Sequence, residues 1–139
     1  MNVQRNLAAF FGGGIAGVVL HALVMTTLVF GIGSAKDFGE TLEETMPIAL
    51  SYLWISRVLA AFSAGLIAAC VASSHKIKIG VLLGCVFVLL VQYQQTGEKI
   101  EEYSSVTYLL STYSSTFIGP VVAAVLVSKW KDMISNKDD

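Results

Sequence analysis

Arg57 is the residue on which any chemistry in this chain depends. It stands near the middle of the apolar stretch 47–73, PIALSYLWISRVLAAFSAGLIAACVAS, and is the single formally charged side chain inside any of the chain's apolar runs. A cation at the centre of a membrane helix costs about 2.5–3.5 kcal/mol on insertion scales. A guanidinium cannot shed its proton to escape that cost. Arg57 therefore requires acceptors, water or a bound anion inside the fold. The sequence offers His21 in the first apolar run, Gln92 in the polar run QYQQ that ends the third, and Tyr108, Ser111 and Ser115 on one helical face of the fourth. An arginine among neutral donors and acceptors suits recognition of an anion or polar molecule, or attachment to an acid on a partner subunit.

Catalysis is not expected from these residues. There is no histidine–carboxylate cluster, no metal-ligand spacing and no nucleophile beside a recognisable base. A lone His21 more often packs and hydrogen-bonds than catalyses. No carboxylate falls within the apolar runs, which disfavours proton-coupled antiport and cation transport. Glu98, Glu101 and Glu102 with Asp37, Glu40, Glu43 and Glu44 are numerous enough for a divalent cation, but solvated acidic loops are the commoner use of such residues. No metal or cofactor is therefore expected. Cys70 and Cys85 form no CxxC pair and read as buried small hydrophobes.

These residues are carried by four apolar blocks. The chain has 139 residues, 55% hydrophobic and only 14% charged, with a mean hydropathy of +0.69. A soluble domain carries about 25% charged residues. The fold expected is an all-α integral membrane protein: four transmembrane helices in an antiparallel bundle, with spans at approximately 7–33, 47–73, 79–95 and 106–128. One such domain takes up residues 1–139. The first run is too long for the apolar core of a cleaved signal peptide, so it is read as a retained helix. The net charge of −1 gives no basic surface for nucleic acid.

Small residues mark where helices should meet. Gly13 and Gly17 are four apart and share a face with His21; Gly80 and Gly84 repeat that spacing in the third span. In the second span Ala61, Ala64, Gly65 and Ala68 form a small stripe with Arg57 at one end. The first two spans are thus expected to pack most closely, with Gly13 and Gly17 against the Ala61–Ala68 stripe. LAAFFGGGIAG and LAAFSAGLIAA look alike but fall at the same membrane depth, which an inverted repeat would not do. Pro47 fits the first turn of the second helix. Pro120 should kink the fourth, because it donates no backbone hydrogen bond and its ring crowds the carbonyl of Thr116.

Arg5, Lys76, Lys78, Lys129, Lys131 and Lys137 belong to the N-terminus, the middle connection and the C-terminus, against Lys36 and Lys99 in the other two loops. The positive-inside rule then places both termini in the cytoplasm. The layout resembles that of many short four-span bacterial membrane proteins, which implies a multi-pass protein of the bacterial inner membrane. The function expected first is a structural or accessory subunit, packing against itself or larger membrane partners in the lipid bilayer through its small-residue faces. The alternative is a small oligomeric transporter, channel or ligand-binding protein with an outward-facing polar cavity around Arg57.

Overall fold

The computed structural model describes residues 2–36, 42–97 and 106–135. Four helices make up its regular structure: α1 (Asn2–Lys36), α2 (Leu42–Val71), α3 (Lys76–Gly97) and α4 (Val106–Ser135). Each contains a stretch long and apolar enough to cross a membrane: Val3–Thr27, Ile48–Val71, Lys76–Gln94 and Val106–Ile134, with mean hydropathy between 1.6 and 2.0. Four such helices are consistent with a multi-pass membrane protein. The helices overrun the apolar blocks, because a helix once nucleated extends cheaply through polar flanks. Thus α1 begins at Asn2, and α4 runs on to Ser135, past the end expected at 128. Since α2 begins at Leu42, Pro47 lies beyond the first helical turn. The acidic residues of 37–41 and 98–105 lie outside the described residues, as does the tail 136–139.

The interior is built from small side chains. The main core cluster contains Ala9, Ala60, Ala61, Ala64, Ala68 and Ala72, with Ile79, Leu83 and Phe87 as its larger members. Thr112, Thr116, Pro120 and Ser56 are among the largest fully buried side chains. Large apolar residues point the other way: Phe11 is 60% exposed and Ile15 63%. A core of alanines and hydroxyls under a surface of leucine, valine and phenylalanine is costly in water. It suits hydrocarbon, where close backbone approach drives helix association instead. Cys70 and Cys85 are also on the exposed side, not buried as their apolar surroundings in sequence imply. A small apolar thiol is tolerated equally on such a surface.

α2 is the hub. It packs broadly against both α1 and α4, α3 packs chiefly against α4, and α1 barely meets α3. The α1–α2 seam uses the glycines of α1. A Cβ on Gly13 would stand 2.5 Å from Ala64 O and 2.8 Å from Ala68 Cβ; one on Gly17 would stand 2.8 Å from Ala60 O and 2.9 Å from Ala64 Cβ. The face of α2 that meets α1 is therefore Ala60–Ala64–Ala68. Ala61 and Gly65, expected on the same stripe, turn towards α4 instead. Ala61 Cβ lies near Gly119, and a Cβ on Gly65 would stand 2.6 Å from Pro120 O. Gly80 and Gly84 face α4 as well, against Pro120 O and Phe117 O. Pro120 thus sits in an unbroken helix with glycines of α2 and α3 against its backbone.

The basic end of the seam is closed by polar contacts. Arg5 Nε donates to Val71 O at 2.9 Å, which satisfies a carbonyl left over at the C-terminus of α2. Asn6 Nδ2 donates to Ser74 Oγ at 3.1 Å, and Asn6 Oδ1 accepts from Ser73 Oγ at 3.3 Å and from Ser74 N at 3.4 Å. His75 completes the short α2–α3 connection with a φ of 54°, in the left-handed region. As residue numbers rise along α1, its contacts on α2 fall, from Val71 through Ala64 to Ser56.

Candidate functional site

Arg57 is 3% exposed and lies inside the helix cluster. Its neighbours Ser56 and Ala60 are fully buried, because α2 is covered by α1 on one side and α4 on the other. The guanidinium lines a cavity of about 100 Å³ formed by Val18 and His21 of α1, Arg57 and Ala60 of α2, and Phe87, Leu90, Val91 and Gln94 of α3. Three of those side chains are polar, and they come from three different helices. Arg57 Nη2 donates to Gln94 Oε1 at 3.5 Å, a long contact. The Tyr108 phenol of α4 also lies within hydrogen-bonding reach of Arg57. Through its long side chain Arg57 therefore touches α3 and α4 from its place on α2.

His21 is held by Ser56. Its Nδ1 lies 2.7 Å from Ser56 Oγ, which in turn is 3.5 Å from His21 O. With Ser56 at 0% exposure, that pair is a polar link within the α1–α2 seam, one turn beyond Gly17. His21 is thus fixed at the rim of the cavity by a neutral partner. It lies six residues past the centre of Val3–Thr27, about 9 Å along the axis, while Arg57 lies about 4 Å from the centre of its own stretch. Both displacements are towards the end of the molecule where the apolar stretch of α3 finishes at Gln94.

The structure brings His21, Arg57 and Tyr108 together, and separates them from the other residues expected at the site. Gln92 points elsewhere and accepts a hydrogen bond from the Tyr113 hydroxyl. Gln94, two residues on, takes its place beside Arg57. Ser115 Oγ returns its hydrogen to its own helix, 2.6 Å from Ser111 O and 3.2 Å from Thr112 O. Thr112 does the same with Tyr108 O at 2.8 Å. Ser111 lines a second, open groove between α2 and α4 with Ser51, Trp54, Thr107 and Tyr108. There the Tyr108 hydroxyl donates to Leu50 O at 3.2 Å, and the Trp54 indole N–H is buried without a hydrogen-bond partner among the described residues. Gln94 and Ser56 are the functional neighbours that sequence reasoning missed. Ser56 carried a signal: it precedes Arg57 and falls on the α2 face that meets His21.

Among the described residues no group of three or more His, Cys, Asp or Glu is placed to hold a metal ion. The acidic residues weighed for a divalent cation lie outside the described residues or have no described side chain. No protein-family model matches the chain, and no curated protein or solved structure matches it.

Proposed function

We propose that the chain is a multi-pass membrane protein, an antiparallel four-helix bundle with both termini on the cytoplasmic side and α4 bent at Pro120, that binds a small anion or anionic group at Arg57. The observation that carries the reading is the burial of Arg57 in a cavity shared with His21 and Gln94. An arginine serving as an anchor for a partner subunit has to lie on the outside of the bundle. At 3% exposure Arg57 is out of reach of a neighbouring helix. A planar, permanently charged fork facing a cavity of about 100 Å³ is instead suited to carboxylate-sized anions. The role is binding, with transport as its natural extension in an oligomer.

The test is thermal unfolding in neutral detergent at constant ionic strength, with chloride, nitrate, acetate or phosphate titrated in. A ligand bound only by the folded state stabilises by RT ln(1 + [L]/Kd), about 2.7 kcal/mol at 100 times Kd. The expected result is saturable stabilisation of the wild type by at least one anion, absent in Arg57→Leu. Equal responses in both proteins, or no response in the wild type, overturn the reading.

The accessory role keeps one observation in its favour. The apolar stretch of α1 is only 17% buried, against 44% for that of α2. An outer helix so little covered suits a partner subunit or a second copy of the chain. Mass spectrometry of the gently solubilised protein separates the cases: co-purifying subunits at fixed stoichiometry support it, and a bare monomer counts against it.

A further inference from the structure

The Arg57 cavity lies next to an open groove on the flank of the molecule. α1 and α3 scarcely touch, and between them runs an apolar groove of about 360 Å³. Phe11, Ile15 and Val18 line it from α1; Leu83, Val86 and Leu90 line it from α3. Its walls are almost wholly apolar. Val18, Phe87 and Leu90 line both this groove and the Arg57 cavity, so the two adjoin across those three side chains. From Phe10 to His21 is eleven residues of α1, about 16 Å of rise, or roughly half the 30 Å thickness of a bilayer's hydrocarbon core. The result is an apolar groove, open on the flank, with a buried cation in the cavity that adjoins it.

We propose that the ligand is a single-chain anionic amphiphile, a fatty-acid carboxylate, which enters sideways from the bilayer. Its carboxylate sits in the cavity at Arg57, and its acyl chain lies in the α1–α3 groove. The inference rests on the anion-binding reading above and names the class of ligand. Charge complementarity selects the head: arginine presents paired donors that match a carboxylate in two parallel hydrogen bonds. The volume of about 100 Å³ around the guanidinium selects a compact head group over a substituted phosphate. The groove selects the tail, because it is one slot between two helices, with room for one chain. Gly14 keeps it open. A Cβ there would meet nothing nearer than Leu83 Cδ2 at 3.7 Å, so a larger side chain fits and fills the slot without disturbing the α1–α2 seam.

The experiment uses the full chain in phosphatidylcholine nanodiscs, with dodecanoate carrying a terminal diazirine as the probe. After irradiation, the labelled positions are mapped by mass spectrometry. Label should concentrate on α1 near Phe11 and Ile15 and on α3 between Leu83 and Leu90. Unlabelled dodecanoate should compete, whereas dodecanol, which has the chain without the charge, and acetate, which has the charge without the chain, should not compete at the same concentration. Labelling should fall at least tenfold in both Arg57→Leu and Gly14→Leu. Uniform label over the apolar surface, competition by dodecanol as strong as by dodecanoate, or full labelling of Gly14→Leu overturns the proposal. If Arg57→Leu does not fold, Gly14→Leu and the dodecanol competition decide. Small-anion stabilisation that persists in Gly14→Leu while no specific labelling occurs leaves the anion site standing and removes the acyl chain from it. Loss of both signals in the wild type removes both.

Discussion

The close approach of α4 to Gly65 provides a sharp test of the packing. A methyl group added at Gly65 would lie 2.6 Å from Pro120 O and 2.9 Å from Pro120 C. Ordinary contact begins at 3.4 Å, so the oxygen alone must retreat by about 3.4 − 2.6 = 0.8 Å. The atoms in the way are backbone in mid-helix, with no side chain to swing aside. α4 is not free to withdraw along α3 either, since a Cβ on Gly80 would stand 2.8 Å from the same carbonyl. Overpacking of this kind costs about 1–3 kcal/mol. Alanine also differs from glycine in intrinsic helix preference, by about 0.8–1.0 kcal/mol in water. That contribution cancels if the reference is another helical glycine with open space around it. Gly12 is that glycine, with nothing within 4 Å of its Cβ position. Gly65→Ala should therefore be less stable than Gly12→Ala by about 1–3 kcal/mol, a five- to more than hundredfold shift in the unfolding equilibrium. Reversible unfolding in mixed micelles, with sodium dodecyl sulfate titrated into a mild detergent and followed by circular dichroism, measures the difference. Agreement of the two variants within 0.5 kcal/mol, about the reproducibility expected for independent sites, would refute the close α2–α4 approach.

Two further outcomes follow from the same geometry. In the His21–Ser56 pair, Ser56→Ala leaves an imidazole nitrogen without its neighbour and His21→Ala leaves a buried hydroxyl, so each should destabilise by about 1–3 kcal/mol; a double-mutant cycle should return a coupling of about 0.5–1.5 kcal/mol, and strict additivity would break the link drawn at 2.7 Å. For topology, His75→Cys and Val106→Cys on a background lacking Cys70 and Cys85 should react on opposite sides of the membrane, Val106→Cys with an impermeant thiol reagent in intact cells and His75→Cys only after lysis; the reverse pattern inverts the orientation drawn from the lysines.

The four helices were legible because apolar blocks of about 20 residues have few other uses. The glycine pair on α1 was legible for a related reason: in an apolar solvent little besides close packing recommends two glycines four apart. The matching face of α2 was not. Ala60, Ala61, Ala64, Gly65 and Ala68 are all small, and a helix with small residues on two adjacent faces does not announce which partner takes which. One face went to Gly13 and Gly17, the other to Pro120. Gln94 was missed for a phase reason. Gln92 and Gln94 are two residues apart, about 200° on a helix, so they point to nearly opposite sides, and the run QYQQ offers a donor or acceptor in either direction. The hydroxyls of α4 misled by number. Thr112 and Ser115 donate to carbonyls of their own helix, the usual recourse of a hydroxyl among apolar neighbours.

On the proposed reading, access to Arg57 depends on residues that do not touch it. α1 is held along its length by α2 and, at its start, by the hydrogen bonds of Arg5 and Asn6 to the end of α2 and the connection that follows. Nothing comparable ties it to α3. The width of the α1–α3 groove is therefore governed by how α1 lies on α2, which means by Gly13 and Gly17. Phe87 is the aromatic one of the three side chains that line both systems. It lines both the groove and the Arg57 cavity, and its ring tip lies 2.5 Å from where a Cβ on Gly17 would stand. Enlarging Gly17 to alanine presses on Ala60 and Ala64 of α2 and also forces that ring to shift beside the groove and the cavity. A substitution at the seam and a substitution at the site are then expected to share a consequence for binding, although Gly17 lines neither the groove nor the cavity. The small residues of α1 do more than let two backbones approach: on the proposed reading they also set the width of the groove through which an acyl chain would reach Arg57.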